Sequence, residues 1–327
     1  MNPGTPFDSA RTNAFASTSS FCGVPAARLD DLQGARAVIV GAPFDWGTSN
    51  RPGTRFGPKA IRETDYLGAH PSRPHLPTGL DALEGVVDIG DIGTHPGDIE
   101  GDLELIADTV AQISAAGSIP IVLGGDHTIT YANATGVART YGFGKVALVH
   151  FDAHADTGDL TSYGALYGHG TPMRRLIESG AVPGQRFVQI GLRGYWPEPE
   201  TMAWMRDQGM RSYLMSEIEE RGLNEVVEEA VGYASEGVDA VFMSIDIDVV
   251  DPGMAPATGT PEPGGLTSRQ ILDTVRNMSR DLNIIGADIV EVCPPYDGPG
   301  GITALLANRI VLEILNGIAE RAAGISS

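Results

Sequence analysis

Short apolar runs rich in β-branched residues recur along the chain, separated by stretches in which apolar side chains return every three to four positions. The runs fall at 37–40, 119–123, 146–151, 187–190, 240–245 and 284–290 and read as buried parallel strands. The stretches between them predict helices over 103–116, 172–179, 223–234 and 268–278, with a closing helix from 303 to about 322. Strands alternating with helices mean βαβ crossovers, and neither a repeat period nor a Pro/Gly-rich linker interrupts them. The pattern predicts one continuous α/β domain over 36–327, preceded by an N-terminal extension over 1–35.

Open parallel sheets bind ligands beyond the carboxyl ends of their strands, so the residues that follow each run carry the candidate chemistry. They are Gly124-Gly125-Asp126-His127, then Asp152-Ala153-His154-Ala155-Asp156, then Asp246-Ile247-Asp248, and finally Glu291. In an extended segment Asp152, His154 and Asp156 point one way and the two alanines the other, which builds one metal-facing row. Asp246 and Asp248 repeat this spacing, and His127 follows a Gly-Gly turn that allows close backbone approach. A lone aspartate after a strand is most often a turn former, as Asp251 before Pro252 is read. Burying so many acids beside apolar strands is costly unless cations pair with them. Two His and four Asp exceed what one ion uses and suit two hard divalent ions sharing a carboxylate, manganese first, with nickel or cobalt also acceptable.

Composition narrows the partners. The 327 residues hold 42 Asp and Glu against 22 Lys and Arg, a formal charge of −20. That charge repels phosphate backbones and anionic membranes, which sets aside nucleic acid and membrane surfaces. Cys22 and Cys293 are the two cysteines, and no CxxC pair occurs, which excludes a disulfide scaffold and thiolate-bound zinc. The N-terminus lacks the basic start and apolar core of a secretory signal, and no apolar run approaches the length of a membrane span. A soluble, cytoplasmic protein is expected.

Three signatures then stand in order: Gly124-Gly125-Asp126-His127-Thr128, Phe151-Asp152-Ala153-His154-Ala155-Asp156, and the run 244–252 continuing through Ala255-Pro256 to Gly259-Thr260-Pro261. In this the chain resembles the ureohydrolase (arginase/agmatinase) family over about residues 36–320. Gly41-Ala42-Pro43-Phe44-Asp45, Arg51-Pro52-Gly53, Arg55-Phe56-Gly57-Pro58 and His169-Gly170-Thr171-Pro172 are closer to its agmatinase and guanidino-acid branch than to true arginases. The resemblance implies a three-layer α/β/α sandwich around a mainly parallel, roughly eight-stranded sheet, and assembly as a homo-oligomer, a trimer or hexamer. It also implies two manganese ions per chain. His127, Asp152, Asp156 and Asp246 would hold one, and His154, Asp152, Asp246 and Asp248 the other, with Asp152 and Asp246 bridging.

The activity implied is hydrolysis of a guanidino compound to urea and an amine, most like that of an agmatinase. Guanidinobutyrate, guanidinopropionate, N-alkylated guanidines and biguanides are the alternatives. A guanidinium carbon is a poor electrophile and its amine leaves only after protonation, so metal-activated water supplies the missing drive. By the resemblance Asp156 accepts a hydrogen bond from that nucleophile, Glu291 holds the guanidinium, and His169 shuttles a proton to the leaving amine. The segment 157–168 has no Lys or Arg, and its Tyr163 and Tyr167 would line a narrow apolar channel for the tail. Arg51, Arg55 and Arg193 follow predicted strands and are the candidates for meeting a tail carboxylate. His70, His75 and His95 read as solvated, and His150 as a packed core histidine. Two rivals rank lower. A dinuclear phosphoesterase would want cationic side chains near the ligands, where Glu291 instead repels phosphate; a catalytically silent subunit of a mixed oligomer has no need of an intact ligand set and Glu291.

Overall fold

The apolar runs become the strands of one eight-stranded sheet in a computed structural model that describes residues 20–64 and 82–325. The strands are β1 (Ala37–Ala42), β2 (Val86–Asp91), β3 (Ile119–Gly124), β4 (Ala147–Phe151), β5 (Phe187–Leu192), β6 (Arg211–Leu214), β7 (Val241–Asp246) and β8 (Ile284–Val290). Their spatial order is β2-β1-β3-β8-β7-β4-β5-β6, and every pairing is parallel. Strands β1, β4, β5, β7 and β8 are buried on both faces, which is why they read as continuous apolar runs.

Alternate side chains of these strands feed two cores. Val38, Val40, Val122 and Leu148 face α2 (Ile99–Ala115), α3 (Ile129–Tyr141), α4 (Pro172–Ser179) and α5 (Pro199–Asp207). Ile39, Ile121, Val149 and Met243 face α1 (Gly57–Glu63), α6 (Met215–Arg221), α7 (Leu223–Ser235), α8 (Ser268–Asp281) and α9 (Ile302–Ala322). The result is the expected three layers. Among the described helices α9 is long and apolar enough to cross a membrane, but 78% of its apolar window is buried inside the molecule, as a core helix requires.

Two strands escaped the hydrophobic pattern, and both lie at the sheet edges. Strand β2 carries Asp88 and Asp91, which pair with the fully buried Arg62 of α1: Nε and Nη2 reach Asp88 at 2.8 and 3.0 Å, and Nη1 reaches Asp91 at 2.5 Å. Strand β6 is four residues long and partly exposed. Helix α3 was hidden for a different reason. Its Thr130 and Asn133 face inward because both donate to Asp288 of β8, at 2.8 Å each, so polar residues interrupt its apolar stripe. Helices α1, α5 and α6 are short and were likewise not anticipated. Residues 20–35, read as part of an extension, run beside β2: Ala27 N donates to Asp88 O and Asp88 N to Pro25 O, with Phe21, Val24 and Leu32 buried. His70 and His75 lie outside the described residues.

Candidate functional site

Four adjacent strands, β3, β8, β7 and β4, bring the candidate residues to one end of the sheet. His127 follows β3, Glu291 follows β8, Asp246 ends β7, and Asp152 follows β4. The Gly-Gly turn after β3 is required. A Cβ on Gly125 would stand 1.8 Å from the Phe44 carbonyl oxygen, which instead accepts from the Asp126 amide at 2.8 Å. Glu291 adopts a left-handed φ of 63°, and its Oε1 accepts from the His127 amide at 2.9 Å.

The Asp152-His154-Asp156 row is not an extension of the strand. Strand β4 stops at Phe151; Asp152 Oδ1 then accepts from the His154 amide at 2.5 Å, and Asp156 has a φ of 52°. Extended backbone would set alternate side chains about 7 Å apart, too far to share an ion; the turn draws them together. Asp246 and Asp248 converge in the same way, through a short 3-10 turn (Ile247–Val249) in which Asp246 Oδ1 accepts from the Asp248 amide at 2.8 Å.

Two clusters result. His127 Nδ1 lies 3.0 Å from Asp152 Oδ2, 2.9 Å from Asp156 Oδ2 and 3.1 Å from Asp246 Oδ2. His154 Nδ1 lies 3.0 Å from Asp248 Oδ2 and 3.5 Å from Asp152 Oδ1. Asp152 thus faces both clusters, one oxygen to each. His127 Nδ1 and Asp248 Oδ2 are buried without a hydrogen-bond partner, although opposite charges stand within 3 Å or so of each. Such atoms, gathered but not aligned on one another, fit ligands arranged around a cation. Four carboxylates and two neutral imidazoles would be matched in charge by two divalent ions.

Without ions the acids must share protons with the imidazoles. Burial works against a charge on His127, but Asp152, Asp156 and Asp246 outweigh it and hold its pKa well above the ordinary value. His154 is likewise pushed up, against burial, to about 12 by Asp248 and Asp152. Burial and the neighbouring acids raise Asp246 and Asp248, whereas His150, His127 and His154 overcome burial to keep Asp152 well below the usual carboxylate range.

Groups behind these side chains orient them. His127 Nε2 is 3.0 Å from Ser244 Oγ, and Ser244 donates to Asp288 Oδ1 at 2.7 Å, so the ring proton belongs on Nε2 and the Nδ1 lone pair faces the acids. His150 is buried as expected but is not mere packing. Its Nε2 stands 2.8 Å from Asp152 Oδ2, while its Nδ1 faces the amide nitrogen of Gln189 at 2.9 Å, whose other proton goes to Ala155 O and whose oxygen accepts from Ser212. Because Gln189 donates, His150 carries its proton on Nε2 and gives it to Asp152. His95 is exposed, as read.

Glu291 and His169 form a second group beside the first cluster. His169 Nδ1 is 3.0 Å from Glu291 Oε1, and Glu291 Oε2 is buried without a partner. A Cβ on Gly259 would come within 2.9 Å of that oxygen, so glycine leaves it room. Burial opposes both charges, yet each stabilises the other: Glu291 is lowered and His169 raised to about 9. Asp126, given no role from sequence, is fully buried here and accepts from the Gly47 and Thr128 amides at 2.8 and 2.9 Å; burial and the charge of Glu291 push it up to about 7.

A cavity of about 610 Å³ opens over His154, Asp156, Asp246 and His169. Tyr163 sits at its mouth, 83% exposed, and Tyr167 leans on Tyr131 with ring centroids 5.6 Å apart. Trp46 and Trp196 also line it, two rings that no spacing in the sequence ties to the metal motifs. None of the three candidate arginines lines the cavity. Arg55 pairs with Asp45 and lies over the Trp46 ring at 4.0 Å, Arg51 lies 5.2 Å from the Tyr296 centroid, and Arg193 donates to the carbonyls of Gly191, Asp248, Val249, Glu262 and Pro263.

Known proteins share both the sequence and this architecture. Guanidinopropionase of Pseudomonas aeruginosa is 39% identical over 318 residues, covering 97% of each chain. The mitochondrial agmatinase of Gallus gallus is 41% identical over 285 residues, 86% of this chain and 81% of its own. The solved structure of proclavaminate amidino hydrolase from Streptomyces clavuligerus superposes with a TM-score of 0.83 at 36% identity, covering 95% of this chain and all of that one. Residues 35–316 match the arginase family profile. With its eight parallel strands and a His/Asp cluster where they end, the chain belongs to the arginase family and is a hydrolase of guanidino C–N bonds.

Proposed function

We propose that this enzyme acts at a two-metal centre on a guanidino compound whose tail bears no carboxylate, agmatine or an N-alkylated guanidine, and releases urea and an amine. The observation that carries the tail is the cavity wall. Its described residues include Trp46, Tyr163, Tyr167 and Trp196 together with Glu198 and with Asp159, which pairs with Arg174 and Arg175 at 3.4 Å each, and the wall itself holds no Lys or Arg. Aromatic faces and carboxylates suit an apolar or cationic tail and leave a carboxylate unpaired. The similarity to guanidinopropionase along nearly the whole chain favours the second reading, a guanidino acid.

His127, Asp152, Asp156 and Asp246 would hold one ion, and His154, Asp152, Asp246 and Asp248 the other. Bound there, the ions supply the Lewis acidity that makes water nucleophilic near neutral pH. The oxygen-rich donor set favours manganese. Asp156 accepts a hydrogen bond from the attacking water. Glu291 holds the guanidinium: its Oε2 is a buried, unpartnered acceptor beside Gly259. Because Oε1 already engages His169, the same carboxylate sets the imidazole beside the nitrogen that must be protonated. A trimer or hexamer and a cytoplasmic location complete this reading. The test is urea release over a guanidine panel with manganese-, nickel- and cobalt-loaded protein. Agmatine should exceed arginine and guanidinobutyrate in kcat/KM; a preference for either acid overturns the tail assignment.

A further inference from the structure

The loop ahead of α1 sets a serine against the imidazole that faces the cavity. Ser49 is exposed and lines the cavity; its Oγ lies 2.6 Å from His169 Nε2, and its amide donates to the same nitrogen at 3.1 Å. On the far side of the ring, Nδ1 faces Glu291 Oε1 at 3.0 Å. A backbone N–H can only donate, so the neutral ring keeps its lone pair on Nε2 and its proton on Nδ1. The serine hydroxyl can donate to that lone pair or, after rotating, accept from a protonated Nε2.

This contact is held in place by both loops. The His169 amide donates to Gly47 O at 3.0 Å, and Asp126 Oδ2 accepts from the Gly47 amide at 2.8 Å and the Thr48 hydroxyl at 3.3 Å. A Cβ on Gly47 would stand 2.9 Å from Gly168 Cα, so the two backbones touch.

We propose that Ser49 is a positioning residue for protonation of the leaving amine: its hydroxyl holds the Nε2 side of His169 and relays the proton that returns the ring to its donor form. The inference rests on the reading of His169 as donor to the amine. Beside Glu291 the ring is protonated and carries a proton on each nitrogen, so giving up the one on Nδ1 leaves it neutral. In the proposed step the Nδ1–H bond breaks as an N–H bond forms on the amine nitrogen, which leaves with the C–N electron pair. Nε2 keeps its proton, which Ser49 Oγ accepts in a hydrogen bond. After the amine departs, Ser49 passes the Nε2 proton to water in the cavity as Nδ1 takes one from it, which restores the form whose Nε2 lone pair faces the Ser49 amide; Nε2 then takes the Ser49 hydroxyl proton, and the hydroxyl oxygen takes one from solvent. The proton consumed equals the one released when the attacking water is deprotonated, so no further reactant is needed.

The experiment compares metal-loaded Ser49→Ala, Ser49→Thr and His169→Ala with the parent on its best guanidine substrate. Ser49→Ala should lower kcat about tenfold, with KM and metal content unchanged, a small fraction of the effect general acid catalysis can have. Ser49→Thr should recover most of the rate, and a small ammonium buffer should restore Ser49→Ala in proportion to its concentration. A full rate in Ser49→Ala beside a slow His169→Ala overturns this inference alone. Equal losses in Ser49→Ala and Ser49→Thr without buffer rescue also overturn it, as a merely structural role. A full rate in His169→Ala would overturn the underlying reading of His169 and this inference with it.

Discussion

At Glu291 one carboxylate serves two partners, Oε1 for His127 N and His169, and Oε2 open. Replacing it by Gln keeps the shape and one acceptor but loses the charge. Charge-assisted hydrogen bonds are worth about 1.5–3 kcal/mol, so Glu291→Gln should cut kcat/KM roughly 10- to 100-fold, through both kcat and KM. Metal content should stay unchanged, and steady-state kinetics beside metal analysis checks both. His150 is the opposite case, remote from substrate but donating to the carboxylate that faces both clusters. Outer hydrogen-bond partners of metal ligands are typically worth about 10- to 100-fold in affinity. His150→Phe should weaken metal binding by that order while the chain stays folded, read by chelator competition and circular dichroism. The six candidate ligands, His127, Asp152, His154, Asp156, Asp246 and Asp248, were legible from their types and spacing, and the fold brings them together. His150 was not, because its role depends on β4 lying beside β5, which places it across from Gln189.

Among the elements, the tie between α1 and the edge strand β2 has the most at stake. Arg62, with no exposed side chain, neutralises both Asp88 and Asp91, and Asp88 also accepts from the Phe21 amide at 2.8 Å. Removing one side of a buried ion cluster leaves charges unpaired at a cost of about 3–5 kcal/mol. Arg62→Leu should lose stability of that order in urea unfolding and loosen residues 20–35. Lys59→Ala on the same helix is the control: its pair with Glu63 is 3.8 Å long and half exposed, so it should change stability by less than about 1 kcal/mol. This tie also explains why β2 was invisible. An edge strand whose inward positions are acids has no apolar run to find, and the arginine that makes those acids tolerable comes from a helix with only seven residues.

For the whole molecule the ligand cluster couples metal, proton and stability. In the metal-free chain His154 is raised to about 12, His169 to about 9 and Asp126 to about 7. A raised pKa means the folded state binds its proton more tightly than the unfolded chain, so stability falls as pH climbs toward the folded value. The imidazole contributions are fully present below about 6.5, and that of Asp126 is lost between the carboxylate range and about 7. Chelated protein should therefore lose Tm steadily from pH 6 to pH 9. Metal-loaded protein, with the two ligand imidazoles held neutral by the ions, should melt higher and with a flatter profile. Parallel curves in differential scanning fluorimetry would show that the ions do not sit on these histidines. The pattern of the chain alone determined which side chains stand at the strand ends: apolar periodicity is local, so six strands were readable, and Asp and His spaced two apart mark a metal-capable cluster before any contact is known. The tertiary structure decided how they meet. His127 and Glu291 are 164 positions apart and Ser49 and His169 120. Their approach depends on the strand order β3-β8-β7-β4 and on turns that depart from extended backbone, as do the tautomers of His127, His150 and His169. Hydrogen-bond direction is a property of neighbours in space, and those neighbours follow from the packing of the entire sheet.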